Sequence, residues 1–100
     1  MFVHNIQFKW KPGTTAAEIE EMKAALATLP GAVPSIRSYI FGSDLGLAAQ
    51  SGNSWDFAIV AQFDDRVGWQ EYLDHPVHDK VRAEKLAPRI AERASVQFEY

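Results

Sequence analysis

Three histidines and three tyrosines are the residues with which this cysteine-free chain could carry out acid–base chemistry. His4 alternates with Phe2, Ile6, Phe8 and Trp10, which turns its imidazole toward the apolar side of a strand. There it is either a structural histidine bonded to a nearby carbonyl or a proton-transfer group among apolar walls. Tyr72 shares a helical stripe with Trp69 and Leu73, as a core tyrosine with its hydroxyl at the edge or as a hydrogen-bonding group facing a ligand. His78 follows Pro76 by two residues. The unpaired amides and dipole of a restarted helix favour a neutral imidazole there, able to accept a proton. The alternative is a surface histidine whose charged form Asp74 and Asp79 stabilise.

Other chemistries fit less well. His75, His78 and Asp79 have a spacing that invites a metal, but a proline interrupts them and no further ligand clusters nearby, so no metal site and no cofactor is expected. Without cysteine there is no disulfide, thiolate nucleophile or iron–sulfur cluster, and a reducing cytoplasm is the expected compartment. Serine and threonine nucleophile motifs are absent, and Gly42 and Gly46 form no phosphate-binding fingerprint. Ten basic against thirteen acidic side chains give a formal charge of −3. Nucleic acid is therefore a poor partner, and no apolar run is long enough to span a membrane.

One hundred residues, 47% of them hydrophobic, make a single domain over residues 1–100. Phe2 to Trp10 reads as a strand broken by Pro12 and Gly13. Thr15 and Glu18 have capping-box spacing, so a helix starts near Ala16 and buries Ile19, Met22, Leu26 and Leu29 until Pro30 and Gly31 stop it. A second strand is expected from Ile36 to Phe41, a connecting loop from Ser43 to Ser54, and a central strand from Trp55 to Phe63. Asp64 or Asp65 caps the next helix, which restarts at His75-Pro76; a last strand, Val96 to Tyr100, docks the end of the chain.

This β-α-β-β-α-β order predicts an α+β, ferredoxin-like protomer: a four-stranded antiparallel sheet with both helices on one face. The uncovered face mixes Val3, Ala58 and Val60 with Asn5, Gln7 and Gln62. Such a face can pack on its own copy, so a homodimer through the sheet is expected, against a monomer with a solvated sheet.

The first-strand segment from His4 to Lys9, the strand Asp56 to Phe63 followed by Asp64, and above all Tyr72-Leu73-Asp74-His75-Pro76-Val77-His78 resemble the stress-responsive A/B barrel (Dabb, dimeric α+β barrel) family over nearly the whole chain. The resemblance implies two ferredoxin-like sheets joined face to face. The family includes a plant polyketide cyclase, olivetolic acid cyclase, which closes an aromatic ring by an aldol step. By resemblance, His78 is the general base, Tyr72 and His4 are its catalytic companions, and Ile6, Phe8, Ile59, Ala61, Trp69, Leu73 and Val81 form the apolar wall for a substrate. Leu26 stands where the cyclase has a tyrosine, and Trp69 is bulkier than its counterpart, which leaves less room for a long tail. A base near neutral pKa abstracts a proton beside a carbonyl while a phenol or imidazole bonds the enolate oxygen.

Two functions are thus carried forward. One is a small hydrophobic carbonyl compound bound in an apolar pocket, with cofactor-independent cyclase, lyase or isomerase chemistry. The other is a non-catalytic, stress-associated dimer whose pocket is filled by Trp69 and Phe8. Antibiotic-biosynthesis monooxygenases and haem-degrading proteins share the barrel, but the His-Pro-x-His segment is not their mark.

Overall fold

The computed structural model describes residues 1–48 and 55–100. The strands are β1 (Phe2–Trp10), β2 (Ser38–Ser43), β3 (Phe57–Phe63) and β4 (Ile90–Glu99), joined by helices α1 (Ala16–Leu26), α2 (Leu29–Ala32), α3 (Arg66–Asp74) and α4 (Pro76–Val81) and by a π-helical turn, Arg82–Leu86. They form one antiparallel sheet in the order β2-β3-β1-β4, the ferredoxin-like arrangement.

The alternation in β1 and β3 decides which side meets the helices. Phe2, His4, Ile6 and Phe8 stand opposite Phe63, Ala61, Ile59 and Phe57, and all eight are buried. Met22, Leu26, Leu29 and Val33 pack down on this face and are fully enclosed. Each such side chain contributes about 1.5–3 kcal/mol by leaving water.

The helix starts follow their caps. Thr15 and Glu18 bond reciprocally, with the Glu18 amide donating to Thr15 Oγ1 at 3.2 Å and the Thr15 amide to Glu18 Oε1 at 3.0 Å. Asp65, rather than Asp64, caps α3 by accepting from the Gly68 amide at 3.0 Å. Asp64 instead makes a two-pronged pair with Arg37 at 3.0 and 2.8 Å, tying the end of β3 to the entry of β2.

Several boundaries differ from the sequence reading. The first helix ends at Leu26, and Pro30 sits in the first turn of the separate α2, where its missing amide costs nothing. The second strand begins at Ser38 and runs to Ser43. Trp55 lies outside β3. The Asp56 amide donates to the Phe8 carbonyl and the Asp56 carboxylate accepts from the Trp10 amide, and Trp55 packs under Lys9 at 5.1 Å. The last strand begins at Ile90, six residues before the expected start, and is paired with β1 throughout, with a bulge at Lys9/Trp10. Residues 49–54 of the connecting loop lie outside the described residues.

Candidate functional site

The left-over space in the helix–sheet interface lies where α3, α4 and the π turn pass over β1 toward β4. A cavity of about 370 Å³ is floored by His4, Ile6, Phe8 and Ile59 and walled by Trp69, Tyr72, Leu73, His78, Leu86 and Ile90. Arg82, Arg93, Ser95 and Gln97, all exposed, form its rim. The volume falls at the small end of ligand pockets, about 300–1,000 Å³. Trp69 stacks on Phe2 with ring centroids 5.2 Å apart; it and Phe8 line the cavity without closing it.

The π turn is what aims Arg82 and Leu86 at this space. The Ala87 amide bonds the Arg82 carbonyl at 2.8 Å, five residues back, a wider turn than α-helix allows and one that recurs at functional sites. The preceding break is built by His75. Its backbone ends α3, and its Nδ1 accepts from the Val77 amide at 3.1 Å to cap α4. That lone pair is therefore occupied, and among the described residues no three His, Asp or Glu side chains group as metal ligands.

The two cavity histidines are held in complementary states. His78 Nδ1 lies 3.3 Å from the Leu73 carbonyl. A carbonyl only accepts, so Nδ1 carries the proton and Nε2 keeps its lone pair. His4 is the converse: Gln97 Nε2 donates to His4 Nδ1 at 2.9 Å, which leaves the His4 proton on Nε2. One ring thus offers a donor and the other a base.

Electrostatics keeps both neutral. Burial, with help from His78 and Arg93, lowers the His4 pKa from 6.5 to about 4. Burial also lowers His78, opposed by its bond to Leu73 and assisted by Arg82. Tyr72 bridges the pair, its ring centroid 4.1 Å from that of His78 and 6.2 Å from that of His4. Its hydroxyl lies 2.9 Å from that of Tyr39. Burial raises both phenols above their ordinary range, so each is a neutral hydrogen-bonding group.

Of the residues singled out by sequence, His4, Tyr72, His78, Ile6, Phe8, Ile59, Trp69 and Leu73 converge on this cavity. Leu26, Ala61 and Val81 do not line it; they are buried in the core beside it. The rim residues Arg93, Ser95 and Gln97 escaped sequence reading because β4 lacks an apolar alternation at this end. Their signal is topological: pairing of β4 with β1 sets Gln97, Ser95 and Arg93 beside His4, Ile6 and Phe8. A depression of about 390 Å³ on the other face, bounded by Gln7, Gly42, Leu45 and Trp55, has Asp44 as its one ionisable side chain among the described residues.

No curated protein matches the chain. Among solved structures, a dimeric ferredoxin-like protein of unknown function from Thermobifida fusca is 42% identical, with 99% of this chain and 90% of that chain covered and a TM-score of 0.88. A dimeric ferredoxin-like protein from Bacteroides fragilis is 25% identical over 99% of this chain and 95% of that one, with a TM-score of 0.83. The hydroxynitrile lyase of Passiflora edulis shares the fold at 16% identity, with 97% and 90% covered and a TM-score of 0.84. The model of the stress responsive A/B barrel domain matches residues 2–100, and the chain belongs to that family.

Proposed function

We propose that the protein is a homodimeric enzyme that binds a small hydrophobic carbonyl compound and moves a proton on the carbon beside the carbonyl, the step common to cofactor-independent cyclases, lyases and isomerases. The observation that carries this reading is the pairing of a lone-pair-bearing His78 with a proton-bearing His4 around one cavity. His78 Nε2 takes the proton, and His4 Nε2–H and the Tyr72 hydroxyl stabilise the enolate oxygen. Each group acts in the protonation state in which burial holds it. An open volume of about 370 Å³ favours binding over a filled, purely structural barrel.

The dimer rests on the other sheet face. Ile40, Val60, Asn5 and Val96 form one cross-strand row, and Ile40 and Val96 are each 63% exposed. Phe98, in the next row beside Val3, is 48% exposed. Packing this face on its copy would cover these side chains, in keeping with the dimeric relatives. The absence of cysteine suits a cytoplasmic protein, and among the described residues no helix is long and apolar enough to cross a membrane.

The test is hydrogen–deuterium exchange at the methyl group of acetophenone in deuterated buffer, followed by proton NMR. Catalysis of exchange by the wild type, lost by about 100-fold or more in His78→Gln and reduced in Tyr72→Phe, supports the proposal. Exchange that is no faster than buffer, or that ignores both substitutions, overturns it.

A further inference from the structure

Resting on the proposed binding of a carbonyl compound, we infer that the substrate also carries a carboxylate, and that Arg93 at the cavity rim is the residue that receives it. The ionisable groups lining the cavity are His4, Tyr72, His78, Arg82 and Arg93; no carboxylate is among them. Of the two guanidinium groups, Arg82 is already paired with an acid and Arg93 is not. Asp79 holds Arg82 at 2.7 Å, Glu99 faces Arg66 at 4.0 Å, and Glu92 meets Lys9 at 3.7 Å on the other sheet face. The Arg93 side chain makes no ion pair or hydrogen bond among the described residues.

Arg93 therefore leaves one uncompensated positive charge at the rim above two neutral imidazoles, a field that selects an anion. It also explains why Arg93 depresses both histidines. An unpaired guanidinium suits a carboxylate better than a neutral oxygen, because its fork donates two parallel hydrogen bonds. Position adds a length constraint. Arg93 and Gln97 lie on the same side of β4, and four residues of strand span about 13 Å. An arginine side chain is long enough to cover part of that distance, so a carboxylate held by Arg93 would sit a few bonds from the reacting carbonyl. A short keto acid has this form.

The probes are 4-oxo-4-phenylbutanoate and its amide, equal in shape and differing in charge, with affinities measured by calorimetry at low ionic strength. The wild type is expected to bind the acid about tenfold more tightly than the amide, as one charge-assisted contact implies. Arg93→Gln should abolish the preference, weakening the acid more than the amide, and Arg93→Lys should restore part of it. Arg93 is exposed on an edge strand, so both variants keep the fold. Equal wild-type affinity for the two probes, or a preference that survives Arg93→Gln, overturns the inference while the carbonyl-binding proposal stands on its acetophenone exchange. Failure of the wild type to bind either probe overturns the inference, and the exchange assay then decides the parent proposal on its own.

Discussion

Two parts of one helix–sheet interface are built to opposite ends. Around Phe57, Phe63, Met22, Leu26, Leu29 and Val33 the packing is complete, each side chain under 2% exposed. Around His4, Tyr72 and His78 the same layers separate over about 370 Å³ and collect nearly all of the buried polar chemistry. Three devices open the second region: the His75-Pro76 break between α3 and α4, the π turn after it, and the polar inner side of β4. The lesson is that the filled region supplies the stability that lets the hollow one hold neutral imidazoles and an indole without a partner. The buried Trp69 Nε1–H is unpaired among the described residues, as is that of Trp10 against Phe57 in the filled region, and each costs about 1–3 kcal/mol.

If that division holds, the largest stability effects come from the filled region. Phe57→Ala removes a ring that is 1% exposed and should lower the unfolding free energy by about 3–5 kcal/mol. Urea unfolding checks this; a loss below about 1 kcal/mol would mean the region is less tightly filled than described.

The hollow region should declare itself through pH. The His4 pKa is about 4 when folded against 6.5 for an ordinary histidine. Between these values the unfolded chain takes up a proton that the folded chain refuses. Stability is therefore complete above pH 6.5, falls as pH drops toward 4, and levels below it. The loss from His4 is roughly 2–3 kcal/mol, with His78 acting in the same direction. Unfolding curves at pH 7 and 4.5 for wild type and His4→Asn measure it, and the variant should show the shallower dependence.

The smallest expected effect joins the two regions. Tyr39 lies outside the cavity lining and bonds the Tyr72 hydroxyl at 2.9 Å. Tyr39→Phe should cost about 0.5–1.5 kcal/mol and shift acetophenone exchange less than Tyr72→Phe does. An equal loss of exchange in both variants would move Tyr39 into the catalytic machinery.

What sequence could disclose follows the same divide. The strict alternation of β1 exposed its inner face, and Thr15, Asp65 and His75-Pro76 mark helix starts by local chemistry that needs no tertiary context. His4 and Tyr72 were legible from the inward position of each on its own element, and His78 from its place after Pro76 and the resemblance of the Tyr-x-x-His-Pro-x-His segment to the family. The rim was not legible. Glu92 to Gln97 alternates in neither polarity nor propensity, because β4 is an edge strand whose inner side borders an open cavity. Its pairing comes from backbone hydrogen bonds with β1, to which side-chain patterning is blind. Nor does any propensity separate a π turn from an α-helix, so Arg82 had no assigned direction. Leu26 was placed at the cavity by resemblance; in the structure it packs in the filled region instead.

The claim on which the functional reading turns is that the two cavity imidazoles are neutral and protonated on opposite nitrogens. Long-range proton–nitrogen correlation NMR of ring-labelled histidine at pH 7 reads this directly. The expected spectrum has His4 protonated on Nε2 and His78 on Nδ1, with neither ring an imidazolium. A shared tautomer, or a charged ring at either position, would contradict it.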